Sequence, residues 1–219
     1  ENLTYYTLWV HQIKTPIAAM RLVLRENDSA EALVLRQELF KVERYAELAL
    51  QYVKLREIAN DLVIERCDLG RIVRESVKKY GLLFVYKGLS VEIAPLAGSV
   101  VSDAKWLGFI LEQLLSNAVK YTDPGGRILV RARLTGASVT CEVSDTGEGI
   151  PPAFLERIFD KYVQVSSYDL ELRGSGLGLA VAKSIILAHN GRIWCESELH
   201  QGSSFYFTLP LSDKGVLHP

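Results

Sequence analysis

At 219 residues the chain is long enough for one large domain or two small ones, each with its own buried core. Apolar residues make up 48% and charged residues 23%, an ordinary globular balance, and a net charge of −1 supplies no field to draw the chain to nucleic acid or an anionic membrane. Cys67, Cys141 and Cys195 stand far apart with no metal-type spacing and read as reduced thiols packed in a core. No apolar run approaches the ~20 residues of a bilayer-spanning helix. No signal-peptide pattern is visible, and residue 1 is Glu rather than Met, so the chain is expected to be a piece of a longer protein, its reduced thiols fitting a cytosol and any membrane segment lying outside it.

The first 60 residues hold one proline, Pro16, and no glycine. Leu3, Tyr6, Val10, Ile13, Ile17, Met20 and Leu24 step by three and four, the seam of an amphipathic helix with a heptad repeat. Asn27-Asp28-Ser29 breaks the pattern with turn and N-cap residues, and Leu35, Leu39, Val42, Ala46, Ala49 and Val53 start a second seam. The spacing predicts two long antiparallel helices. One such hairpin cannot bury both seams, so two copies are expected to pair through residues 1–60 as a four-helix bundle. Periodicity alone favours a coiled-coil spacer without chemistry, and only the polar residues of the first helix argue for more.

From residue 61 to 219 the pattern turns to mixed α and β. Strands are predicted at Leu62–Arg66, Leu89–Ala94, Arg127–Leu134, Ser138–Ser144, Arg192–Ser197 and Ser203–Leu211. Asp68 should cap a helix running to about Val85, Asp103 one running to Tyr121, and a third should span Gly176 to His189. Asp145 to Ser175 reads as loop. The sum is an α+β chain: a helical hairpin, then a two-layer α/β sandwich.

Four groups of residues could carry chemistry. His11 follows seam residue Val10 and should face solvent beside the core, where a neutral imidazole is a usable nucleophile for a phosphoryl group. Thr15 lies one turn on, with a hydroxyl that could orient water, and Pro16 should bend the helix there. Glu112, Ser116, Asn117 and Lys120 are expected to share one helix face; Asn117 offers a hard oxygen for Mg²⁺ and Lys120 a charge for phosphate. Asp145-Thr-Gly147-Glu-Gly149 sets a carboxylate at a strand end, able to accept from a purine amine, beside glycines that let backbone approach a flat ring. Gly174-Ser-Gly176-Leu177-Gly178 enters a helix whose N-terminus favours anions. Each has a plain alternative: an idle surface histidine, a wet helix face, an acidic turn, a glycine-rich loop.

The order of these pieces resembles the histidine kinases of two-component signalling. His11-Gln12-Ile-Lys-Thr15-Pro16 is similar to the H box, Glu112–Tyr121 to the N box and Asp145–Gly149 to the G1 box. Ile158-Phe159-Asp160-Lys161 resembles the F box, Gly174–Leu179 the G2 box and Gly202–Phe205 the final glycine turn. The Lys14-Thr15-Pro16 ending and the compact hairpin look like small membrane-bound kinases of Gram-positive bacteria. The resemblance implies a GHKL-type ATP-binding fold after a dimerisation and phosphotransfer hairpin. It implies ATP and Mg²⁺ as cofactors and a response-regulator aspartate as the next phosphoryl acceptor, with phosphatase activity as a further possibility. His11 would be the phospho-acceptor. Asn117, with Glu112, would hold the metal. Lys120, Tyr121, Asp145, Gly147, Gly149, Lys161, Gly174, Gly176, Leu177 and Gly178 would contact the nucleotide. Residues 160–173 would form a lid, and Ile58–Leu62 a hinge.

One departure stands out: the family usually has an acidic residue after the reactive histidine, and this chain has Gln12, which cannot act as a base near neutral pH. Gln12 could orient His11 and leave slow phosphorylation, or it could mark a dimeric nucleotide-binding scaffold with weak kinase activity. Gln113 is a smaller departure and is expected to be tolerated. Another ATPase of the same nucleotide fold would predict steady hydrolysis with no phosphate on protein.

Overall fold

A computed structural model describes residues 2–27, 29–54, 62–95, 99–165 and 175–211. The chain divides into two compact units, Glu1–Glu57 and Ile58–Pro219.

The first unit is α1 (Asn2–Leu24) and α2 (Ala30–Lys54). Ser29 caps α2 by accepting from the Ala32 N–H at 3.1 Å. From α2, Arg36 donates to the carbonyls of Leu24 at 2.9 Å and Asn27 at 2.7 Å, satisfying the end of α1. Ion pairs Lys14–Glu47 (3.6 Å) and Arg21–Glu43 run between the helices and fix them antiparallel. Ile17, Ala32, Leu39, Ala46 and Leu48 are buried between them. Leu35 and Val42, seam residues in the sequence, stay 54% and 48% exposed, and Met20 is 47% exposed. A single neighbouring helix covers one stripe only, so part of the predicted seam stays uncovered among the described residues of this unit.

The second unit opens with β1 (Glu65–Asp68), α3 (Leu69–Lys79), α4 (Gly81–Lys87), β2 (Ser90–Ile93) and β3 (Ser99–Ser102). It continues through α5 (Ala104–Tyr121), β4 (Arg127–Thr135), β5 (Ser138–Asp145) and α6 (Pro152–Leu155), and closes with α7 (Gly178–Ala188), β6 (Ile193–Glu198) and β7 (Gly202–Pro210). Five strands form one sheet in the order β2-β4-β5-β7-β6, with only the β2–β4 pair parallel; β1 and β3 make a separate antiparallel ribbon. Alternation along β4, β5 and β7 turns Ile128, Val130, Val139, Cys141, Val143, Phe205, Phe207 and Leu209 to one face. Onto that face pack α5 and α7, burying Leu107, Ile110, Leu114, Val181 and Ile185 completely. Each such side chain contributes roughly 1.5–3 kcal/mol. The other face carries the Arg131–Glu142 pair and Trp194 stacked on Tyr206 at 5.1 Å. Helices on one side of a sheet make the two-layer sandwich expected from the sequence.

Three elements differ from the sequence reading. The first strand lies at Glu65–Asp68, three residues later than predicted. The helix predicted to reach Val85 breaks at Tyr80, whose ring is 1% exposed and whose hydroxyl donates to the Glu112 carbonyl at 2.9 Å. Burying that ring while Gly81 follows ends α3 and starts α4. The ribbon strand β3 was not expected. Its four residues lead directly into the Asp103 cap, and its partner β1 lies more than thirty residues earlier, beyond local pattern.

Candidate functional site

The site is organised around α5. At its N-terminus the Asp103 carboxylate accepts from the N–H groups of Lys105 (2.9 Å), Trp106 (3.1 Å) and Val63 (2.9 Å). Asp103 N–H also donates to His189 Nε2 at 3.5 Å, while His189 Nδ1 sits 2.8 Å from the Ile185 carbonyl. His189 thus links the C-terminus of α7 to the start of α5. Burial lowers its pKa, with the Ile185 carbonyl and Asp103 opposing, and its hydrogen-bond pattern is that of a neutral imidazole.

At the other end, each of the last carbonyls of α5 has a partner. Ala118 accepts from the Thr122 N–H at 3.1 Å and hydroxyl at 2.6 Å. Val119 and Lys120 accept from Lys87 Nζ at 2.8 and 3.2 Å. Tyr121 accepts from the Glu148 N–H at 3.1 Å. The last of these ties the loop after β5 to the helix.

That loop begins at Asp145, which pairs in register with Ile128 and Ser203 and so points to the face covered by α5 and α7. Burial pushes its carboxyl up to about 6, against the N–H groups of Gly147 (2.9 Å) and Ser203, with Glu148 adding repulsion. A Cβ at Gly147 would collide with the Tyr121 carbonyl, and one at Gly149 (φ +71°) with the Glu198 carbonyl. Both glycines are therefore demanded by backbone approach. The Ile150 N–H donates to Ser197 Oγ at 2.8 Å and the His200 N–H to the Glu148 carbonyl at 2.7 Å, anchoring the loop to β6 and its turn.

The glycine-rich run meets α5 one turn before Asn117. A Cβ at Gly178 would lie 2.5 Å from Gln113 Oε1. Gly176 (φ +65°) accepts from the Tyr162 N–H at 2.9 Å and lies against its backbone, and Leu177 caps α7, its N–H donating to Ser175 Oγ at 3.2 Å. Gln113, Asn117 and Tyr121 are spaced i, i+4, i+8 along α5, a row of about 12 Å. Gly178 touches one end of that row and Gly147 the other, with Asn117 between them.

The remaining predicted residues are placed as follows. Lys120 Nζ donates to the Tyr121 hydroxyl at 2.9 Å and lies 4.6 Å from its ring centre; burial lowers its pKa to about 8, Glu148 opposing. Glu112 is not in the Asn117 row: its carboxylate pairs with Lys79 of α3 at 3.0 Å. Ile158 and Phe159 are buried, with Phe159 edge-on to Phe205, while Lys161 is exposed. Gly174, most of the predicted lid and most of the predicted hinge lie outside the described residues. Gln12 and Thr15 are exposed on α1; the backbone of His11 is helical, and its side chain lies outside the description. Gln113, a departure expected only to be tolerated, meets Gly178, and Lys87, for which the sequence raises no expectation, holds the end of α5. Spacing of four from Asn117 was the available signal for Gln113; nothing local marked Lys87, whose partners lie more than thirty residues on.

Residues 102–213 match the histidine kinase-, DNA gyrase B- and HSP90-like ATPases, and the chain belongs to this family. It is 32% identical to sensor protein BceS of Bacillus subtilis over 207 residues, 94% of this chain and 62% of that protein. BceS of Halalkalibacterium halodurans is 31% identical over 95% of this chain and 62% of its own length. The sensory kinase SasA of Synechococcus elongatus is 46% identical over 114 residues, 52% of this chain and 29% of that protein. Full-length ShkA, solved in complex with AMPPNP, superposes with a TM-score of 0.71 at 26% identity, over 95% of this chain and 46% of that one. The chain thus spans about 62% of the length of the BceS relatives it matches. Its similarity to two-component sensor kinases runs along nearly its whole length, and no helix among the described residues is long and apolar enough to cross a membrane.

Proposed function

We propose that this chain is the catalytic core of a sensor histidine kinase, which moves the γ-phosphoryl of ATP to His11 and from there to an aspartate of a response regulator. The observation that carries the reading is the Gln113–Asn117–Tyr121 row, bridged by Gly178 at one end and Gly147 at the other. Its length is on the scale of a nucleoside triphosphate laid from base to phosphate. Asp145 accepts a hydrogen bond from the adenine amine, and Gly147 and Gly149 bring backbone against the ring. The first N–H groups of α7, from Gly178 onward, donate to phosphate oxygens, as a helix N-terminus does, while Leu177, its own N–H on Ser175 Oγ, lines the site. Lys120 adds positive charge, and Tyr121, Lys161, Gly174 and Gly176 complete the surroundings of the nucleotide. Asn117 would offer oxygen to a magnesium ion, whereas Glu112, expected as a second donor, points to another side of the helix and pairs with Lys79 at 3.0 Å. Such an ion would neutralise charge between the phosphates.

The chemistry asks for position more than for covalent help. A His11 ring nitrogen attacks the γ-phosphorus, the bond to the β–γ bridging oxygen breaks, and ADP leaves. The regulator's carboxylate oxygen then attacks the same phosphorus and the N–P bond breaks. Gln12 orients the imidazole without taking its proton, and Thr15 places the water for dephosphorylation. Residues 1–60 form the dimerising phosphotransfer hairpin and residues 61–219 the ATP-binding domain. The uncovered stripe of Met20, Leu35 and Val42 supports pairing of two hairpins into a four-helix bundle. Membrane attachment belongs to the parent protein, in keeping with sensor relatives longer than this chain.

Incubation with γ-³²P-ATP tests this. Wild-type protein should gain acid-labile, base-stable label that chases onto a receiver domain, and His11→Ala should gain none. Steady ATP hydrolysis with no label on protein would instead assign another ATPase of this fold, and nucleotide binding with neither would assign a scaffold.

A further inference from the structure

We infer that Lys87 is a positioning residue for the nucleotide site, acting through the C-terminal turn of α5; this rests on the nucleotide reading above. Lys87 is the last residue of α4, and Gly88 in the left-handed conformation (φ +62°) ends the helix behind it. Its ammonium donates to three carbonyls at once: Val119 at 2.8 Å, Lys120 at 3.2 Å and Thr122 at 2.8 Å. An ammonium has three N–H donors, so this side chain is fully used. The first two acceptors are carbonyls that an α-helix leaves unsatisfied at its end, and a cation there also opposes the negative pole of the helix. The Lys87 backbone is held as well, its carbonyl accepting from the Gly125 N–H at 3.1 Å. Burial lowers the pKa of Lys87, with Asp123 opposing.

The turn that Lys87 grips is the one that builds the site. It carries Lys120 and Tyr121, and the Tyr121 carbonyl accepts from Glu148 and blocks a Cβ at Gly147. Asp145 is two residues from that contact and bonded to Gly147 N–H. If Val119 and Lys120 lose their donor, the last turn of α5 can tighten, fray or shift, and the loop hung from Tyr121 moves with it. Lys87 itself, in contact with carbonyls of α5 rather than with the loop, sets the separation between Asn117 and Asp145 without touching nucleotide.

Titration of Mg·AMPPNP by calorimetry into wild type, Lys87→Met and Lys87→Arg at 20 °C, with melting temperatures recorded alongside, tests this. Lys87→Met loses three charge-assisted hydrogen bonds and is expected to bind about tenfold or more weakly. Lys87→Arg, which restores donors and charge, should bind within about threefold of wild type. A residue with a purely structural role would lower the melting temperature of Lys87→Met and leave the affinity of its folded fraction alone. If Lys87→Met does not fold, Lys87→Gln, with two donors on a shorter stem, replaces it and should still bind several-fold more weakly. Unchanged affinity in the folded Met or Gln variant, or an Arg variant as weak as the Met variant, overturns the inference. Failure of wild type itself to bind would overturn the nucleotide reading instead.

Discussion

The Glu148 N–H donates to the Tyr121 carbonyl at 3.1 Å, so the loop that follows Asp145 hangs from the last residue of α5. Through that bond the strand-end carboxylate and the helix carrying Asn117 become parts of one rigid frame. Gly147 makes the approach possible, because any side chain there would occupy the space of the Tyr121 carbonyl.

Gly147→Ala should therefore separate the loop from the helix. Backbone on one side or the other must move, at a cost of about 1–3 kcal/mol, and nucleotide affinity should fall with it. Gly81→Ala is the control: nothing lies within 4 Å of a Cβ there, and removing a glycine from a helix start should be neutral or slightly stabilising. Thermal melts and nucleotide titration of the two variants check the contrast. Equal behaviour would deny the close contact.

Asp145 in the free protein has its carboxyl raised from 3.8 to about 6 by burial. An adenine amine stabilises the ionised form, so binding near pH 6 should release a proton, and affinity should rise as pH goes from 5 to 7. The sign for folding is opposite. A raised carboxyl favours the folded state below its unfolded pKa, and that contribution is lost as pH rises to about 6. Asp145→Asn should remove both dependences. AMPPNP affinity at pH 5.5 and 7.5, taken as the difference between wild type and variant, reads the first; a slope shared by both proteins would belong to the ligand.

His189 behaves inversely to Asp145. Its folded pKa is lowered from 6.5, so the neutral ring contributes stability in full above pH 6.5 and loses it as pH falls from there toward the folded value. The melting-temperature gap between wild type and His189→Gln should shrink between pH 7 and 5. A gap that stayed constant would mean the ring gains no proton in that window on unfolding.

Gln12→Glu restores a carboxylate beside His11. A positioned base typically contributes a hundredfold or more, so initial labelling by γ-³²P-ATP should rise by at least about tenfold. A rate unchanged by this substitution would show that the neighbouring amide limits nothing.

Much of this was legible in the sequence because it is local. The Asp103 cap, the alternation in β4 and β5 and the glycines at 147, 149 and 178 announce themselves within a few residues. What was not legible depends on distant partners. Lys87 gains its role from carbonyls more than thirty residues away, Tyr80 ends a helix because its hydroxyl meets Glu112, and β3 is a strand because β1 lies beside it. Glu112 and Asn117 were read as sharing a face. At five residues apart they diverge by about 140°, and Lys79 claims the carboxylate.

The most direct measurement is titration of Mg·AMPPNP into wild type, Asn117→Ala and Asp145→Asn at pH 7.5. Wild type should bind one nucleotide per chain, and each variant should bind at least about tenfold more weakly, the usual cost of losing a contact to a charged group or metal. Wild-type affinity in both variants would contradict a nucleotide seated between the two residues.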